Sequence, residues 1–108
     1  MPSDEFAGLG RFAGPAGLIL SSLAGGPKHG YAITQDVDAF AGVRLQPGTL
    51  YGALTRLEQD GMIEALPGDG RRRPYGITPR GAQALAEQLI AQRRIASIGL
   101  RRLSAATS

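Results

Sequence analysis

The chain has 108 residues, which fits one domain of the usual ~100–150. Apolar residues make up 43% and charged residues 19%, enough to bury a core and to exclude wholesale disorder. Twelve Lys+Arg against nine Asp+Glu leave a net charge of +3, a mild pointer to an anionic partner. The absence of Cys excludes disulfides and thiolate zinc sites, and the one His does not make a metal cage.

The head, Met1 to Gly14, holds two Phe and three Gly without a clear period, and reads as an arm or a short helix. Its start, Met1-Pro2-Ser3-Asp4-Glu5, is acidic where a secretory signal is basic. The longest apolar run, Ala16 to Leu20, is far shorter than the ~18 residues of a membrane span.

Pro15 to Leu23 reads as a first helix, with Pro15 at its first position, Leu18, Ile19, Ser22 and Leu23 along one stripe, and Gly25-Gly26-Pro27 as the stop. Gly30 to Phe40 reads as a second. Tyr31, Ile33, Val37 and Phe40 form its expected buried side, Asp36 and Asp38 point outward, and Gly42 ends it. Pro47 to Asp60 is the clearest helix. Leu50, Leu54 and Leu57 recur at i, i+4, i+7, which leaves Thr49, Gly52, Thr55, Arg56 and Gln59 on the other side, and Gly61 is the stop.

Two short strands follow. Met62 to Leu66 leads into a turn at Pro67 to Gly70, and Arg71-Arg72-Arg73 and Pro74 to Thr78 return. Pro74 has no N–H for the ladder and belongs at an edge. Thr78 as N-cap and Pro79 open a last helix that runs to about Leu103. Ala82, Leu89, Ala96 and Leu103 recur by sevens, with Leu85 and Ala86 filling the seam, and the pattern weakens at Gln92 and Gly99. Ser104 to Ser108 reads as a fraying end.

Three short helices, a hairpin and a long helix make a mainly α chain with the layout of a winged helix-turn-helix. The division is 1–14 for the head, 15–78 for the DNA-binding unit and 79–108 for a dimerisation helix. In such a unit the third helix carries a polar face into the DNA major groove and the hairpin touches the backbone. The exposed hydroxyls, amide and guanidinium of the third helix suit base edges and phosphates. The three adjacent arginines suit phosphates alone, and make binding salt-dependent. Tyr51, on the flank of the helix, fits simple packing with its hydroxyl in water, whereas the open side on which Thr55 and Arg56 lie favours a DNA contact over a merely solvated face. No carboxylate pair at active-site spacing, no Gly-rich phosphate loop followed by Lys and no nucleophile with a base is present, so an enzyme is not expected and no cofactor is called for.

Pro47-Gly48-Thr49-Leu50-Tyr51, Leu54, Arg56-Leu57-Glu58, Gly61 and Ile63 resemble the core signature of PadR-type transcriptional regulators. Leu18-Ile19-Leu20, Leu23, Gly26-Pro27, His29-Gly30-Tyr31 and Ile33 resemble that family's first two helices. Arg71 to Arg73, Tyr75, Ile77-Thr78 and Gly81 resemble its wing. The resemblance, from about Pro15 to Leu89, implies a bacterial, cytoplasmic, homodimeric repressor on an inverted-repeat operator, released by a small effector. It further implies that Tyr31, Gln46, Thr49, Tyr51, Thr55, Arg56, Arg71, Arg72 and Arg73 meet DNA. Leu85, Leu89, Ile90, Ala96, Leu100 and Leu103 would form the dimer face of a single last helix, as in the short subfamily. Two departures stand out. Gln46 replaces a common Ser, and no Trp is present to sandwich a planar drug. The reading that competes is a winged-helix module that binds a protein partner without specific DNA.

Overall fold

A computed structural model describes residues 14–70 and 72–107; the head up to 13, Arg71 and Ser108 lie outside the described residues. The elements are α1 (Pro15–Ala24), α2 (Gly30–Ala41), α3 (Pro47–Gln59), β1 (Ile63–Ala65), β2 (Tyr75–Ile77) and α4 (Pro79–Thr107). This is the winged helix-turn-helix order with a long last helix.

One apolar cluster holds the first three helices, the hairpin and the root of α4 together. Ile19, Leu20 and Leu23 of α1, Ile33 and Val37 of α2, Leu50, Leu54 and Leu57 of α3, Ile63 of β1 and Leu85 of α4 are its buried members. The leucine stripe of α3 is buried as its spacing predicts. Each such side chain contributes on the order of 2 kcal/mol through removal from water. Leu45 and Met62, which no periodic pattern marks, complete the cluster from the connections on either side of α3.

Two expectations for α2 are corrected. Tyr31 and Phe40 are exposed, at 72% and 51%, while Ile33 and Val37 alone are buried. Tyr31 sits ~200° around the helix from Ile33, and Phe40 lies in the last turn, beyond the reach of the core. Asp36 does not simply point outward. Its Oδ2 accepts a 2.7 Å hydrogen bond from the buried Ser22 hydroxyl and lies 3.9 Å from Lys28 Nζ. Lys28 in turn donates to the carbonyl of Ser22. This polar staple fixes α2 against α1 and keeps the buried Ser22 hydroxyl paired.

Glycines end the helices as expected. Gly42 (φ +68°) and Gly61 (φ +75°) both adopt the left-handed conformation that terminates a helix without a Cβ penalty. The hairpin is shorter than the sequence implies, with Ile63 opposite Ile77, Glu64 opposite Gly76 and Ala65 opposite Tyr75. Met62 and Leu66 fall outside it, although Leu66 N still donates to Pro74 O at 2.8 Å. Lys28 adds a further antiparallel bridge to Tyr75, N–H to O at 3.1 Å and O from N–H at 2.8 Å. The α1–α2 connection is thus tied directly to the wing.

Thr78 caps α4 as expected: its hydroxyl accepts from Gly81 N at 3.0 Å and donates to Gly61 O at 2.7 Å. Gly81 is where α4 crosses the hairpin. A Cβ there would stand 2.1 Å from Met62 O, a backbone atom that cannot swing aside. Gly81→Ala is therefore expected to cost about 2–3 kcal/mol, read from the urea midpoint at unchanged slope. An unchanged midpoint would show that the crossing opens at no cost.

α4 runs unbroken for 29 residues, through Gly99 and through the Ser104–Thr107 stretch expected to fray. Helical hydrogen bonds and the Thr107 hydroxyl on Ser104 O hold that end. Its root packs on α1, and Gly81 and Leu85 are its buried residues. From residue 93 onward every described residue is exposed.

Candidate nucleic-acid interface

The packing of α3 decides which of its groups are available. With Leu50, Leu54 and Leu57 inward, Thr49, Tyr51, Gly52, Thr55, Arg56 and Gln59 all remain exposed on the open side. Pro47 holds the first helical position, where its missing N–H is no loss. Gln46 is the exposed N-cap residue and makes no side-chain capping bond; its carbonyl accepts from Leu50 N at 2.9 Å. The N–H groups of Gly48 and Thr49 at this helix start therefore have no side-chain cap and suit an oxyanion. The Thr55 hydroxyl donates back to Tyr51 O at 2.9 Å, so it presents its methyl and its lone pairs outward, not its proton.

The wing stands beside one flank of α3. His29, Tyr31, Tyr51, Arg72, Arg73 and Tyr75 surround an open groove of about 700 Å³. The structure thus brings together four predicted site residues from three elements: Tyr31 of α2, Tyr51 of α3, and Arg72 and Arg73 of the wing. All four are exposed. Arg71 lies outside the described residues.

Tyr51 is oriented by a glycine that the sequence reading left without a role. A Cβ on Gly30 would lie 3.0 Å from the Tyr51 hydroxyl oxygen and 3.4 Å from its ring, so the ring lies close across the start of α2 and would give by a few tenths of an ångström for a larger residue there. The Tyr51 hydroxyl thereby comes to the N-terminal end of α2, where unpaired N–H groups favour negative charge. The Lys28–Tyr75 bridge holds this end of α2 against the wing. His29 and Tyr75 were also missed as groove residues, because the contact joins segments more than forty positions apart and leaves no local pattern.

The tip of the wing is tightly closed. Arg72 N donates to Asp69 O at 3.1 Å, Gly70 has φ +59°, and a Cβ on Gly68 would meet Arg72 O at 2.3 Å. The turn carries the arginines on short, constrained backbone, which limits the entropy lost when they meet a ligand.

Of the six residues expected at a dimer face, Leu85 is 4% exposed and packs into the core of its own chain. It sits opposite α1 at the root of α4 and is not available to a partner. Leu89, Ile90, Ala96, Leu100 and Leu103 are all exposed, as are Ile95 and Ile98. Among the described residues no group of His, Asp and Glu is placed to hold a metal ion. No described helix is long and apolar enough to cross a membrane.

The chain is similar to known proteins over most of this unit. Residues 19–87 match the transcriptional regulator PadR-like family. Transcriptional regulator Rv3488 of Mycobacterium tuberculosis is 46% identical over 72 residues, which is 64% of this chain and 66% of that protein. An uncharacterized 37.1 kDa protein in transposon TN4556 of Streptomyces fradiae is 44% identical over 78 residues, 72% of this chain but 23% of that protein. The chain thus spans less than two thirds of the length of either relative. Among solved structures, a PadR family transcription regulator from Clostridium difficile superposes with a TM-score of 0.74 at 29% identity, over 82% of this chain and 97% of that one.

Proposed function

Because this chain belongs to the PadR-like family of transcriptional regulators, we propose that it binds duplex DNA as a homodimer, with α3 in the major groove and the wing on the adjacent backbone. The observation that carries this reading is that Tyr51 of α3, Tyr31 of α2 and the exposed Arg72 and Arg73 of the wing line one groove, while Thr49, Thr55 and Arg56 stay exposed on α3. Thr49, Thr55, Arg56 and Gln46 would meet base edges and phosphates from α3, Tyr31 and Tyr51 would donate to phosphates, and Arg71 to Arg73 would neutralise them.

Dimerisation rests on α4. An exposed helix carrying Leu89, Ile90, Leu100 and Leu103 beyond its own domain has apolar area that a second copy would cover. A two-fold pair would set two α3 helices on half-sites about 34–36 Å apart, the match for an inverted repeat. On this reading the protein is a repressor that clears its operator when a small effector binds between subunits, beside Ile95 and Ile98. It acts in the cytoplasm, where the DNA is.

The test is binding to promoter fragments by anisotropy across a salt series, followed by footprinting. Protection of a palindrome by the native chain is expected. Arg72→Ala with Arg73→Ala should lower the salt slope by about two units and weaken all sequences alike. An unaltered slope removes the wing from the DNA contact. Binding that protects no palindrome favours a protein partner for α3.

A further inference from the structure

His29 stands where three elements meet. Its predecessor, Lys28, exchanges backbone hydrogen bonds with Tyr75 of the wing at 3.1 and 2.8 Å. Its successor, Gly30, lies against the Tyr51 ring of α3, with the position of a Cβ only 3.0 Å from the hydroxyl oxygen. Between these two contacts His29 is exposed and borders the groove of Tyr31, Tyr51, Arg72, Arg73 and Tyr75. As the N-cap residue of α2 it makes no side-chain capping bond, so the helix start does not occupy its ring nitrogens.

The polar groups that face it are hydroxyls and cations. Tyr31 comes from α2, Tyr51 from α3, and Arg72, Arg73 and Tyr75 from the wing, and no carboxylate among the described residues lines the groove. The neighbouring Lys28 is engaged elsewhere, its Nζ donating to Ser22 O and lying 3.9 Å from Asp36 Oδ2. The two guanidiniums are permanent charges, since arginine does not lose its proton in proteins. A third charge is conditional, because histidine is the side chain that ordinarily changes charge between about pH 5 and 8. This is the chain's one histidine, and the chain has no cysteine.

We infer that His29 is a proton-dependent ligand for a backbone phosphate of the DNA, gripped jointly with Arg72 and Arg73. The inference rests on the DNA reading above and adds a residue and a regulation to it. A phosphodiester keeps its negative charge throughout this range, and its approach favours the charged form of the ring. The imidazole takes the proton from solvent, and both ring nitrogens then donate. Binding is therefore tighter below neutral pH and loosens as pH rises.

The test is anisotropy of a labelled duplex of arbitrary sequence, since backbone contacts carry no sequence information. Salt series are run at about pH 6 and about pH 8, on either side of the ordinary histidine range. Near about 0.1 M salt the native chain is expected to bind about tenfold more tightly at the lower pH, the worth of one neutralised phosphate, with a salt slope steeper by about one unit. His29→Gln should bind at both pH values as the native chain does at the higher one, and its slope should not change with pH. His29→Lys, with a fixed charge, should bind tightly at both. Residue 29 is exposed and makes no capping bond, so both variants are expected to fold, which circular dichroism checks. A terminal amine also titrates near this range but is common to all three proteins. A native pH difference that His29→Gln retains overturns the proposal. So does a native chain whose binding ignores pH, or a His29→Lys chain no tighter than His29→Gln. In each of these cases the duplex is still bound, and the DNA reading stands. A native chain that binds no duplex at either pH overturns both.

Discussion

Leu54→Ala is expected to lower the unfolding free energy by about 3–4 kcal/mol, read from urea or thermal unfolding. Leu54 is 1% exposed at the centre of the α3 stripe, enclosed by α1, α2 and the hairpin. Truncation removes the transfer free energy of the lost methyls and leaves a cavity that a well-packed small core cannot close. A domain of this size commonly holds only about 5–10 kcal/mol in all, so the loss is a large share. Phe40→Ala supplies the contrast. It removes a larger apolar group, but one that is 51% exposed, and is expected to cost less than about 1 kcal/mol. A comparable loss at both positions would contradict the core described for α2 and α3.

On the proposed dimer, Leu100→Glu with Leu103→Glu is expected to leave a folded monomer that no longer binds the proposed operator. Both side chains are about two-thirds exposed within one chain, at 68% and 66%, and lie past the last contact of α4 with its own domain. Glu is a good helix former, so α4 itself should persist. In the dimer the same positions would place four carboxylates at an apolar seam. Burying even one unpaired charge costs several kcal/mol, which implies at least about a hundredfold weaker association. Light scattering at micromolar concentration checks the mass, and circular dichroism checks that helix content is kept. A dimeric mass for this variant would move the interface off this face of α4. A monomeric mass for the unaltered chain would remove the dimer altogether.

The two substitutions probe different links. Leu54 tests what holds α3 in place, and Leu100 with Leu103 tests what would set two α3 helices at a fixed separation. On the proposed reading, loss of either would remove sequence-specific binding, the first by unfolding and the second because one half-site contact alone gives weak attachment.

The sequence by itself determined the element order, the buried stripe of α3 and the helix stops at Gly42 and Gly61. Each depends on neighbours within a few positions: a 3.6-residue period, a proline at a helix start, a glycine free to take positive φ. It also marked the exposed side of α3 and the wing arginines, because amphipathic spacing and a charge block are local.

Only the tertiary structure decided the rest. Tyr31 and Phe40 look like core residues by type, yet Tyr31 borders an open groove and both are exposed, because burial depends on what packs over a side chain. Leu85 looks like part of a dimer seam, yet α1 covers it. Asp36 is drawn inward by the hydroxyl of Ser22, fourteen positions away. The placement of Tyr31 and Tyr51 beside Arg72 and Arg73 goes with the Lys28–Tyr75 bridge and with the close approach of Tyr51 to Gly30. Those contacts join distant segments, and short-range periodicity carries no information about which segment will arrive opposite which.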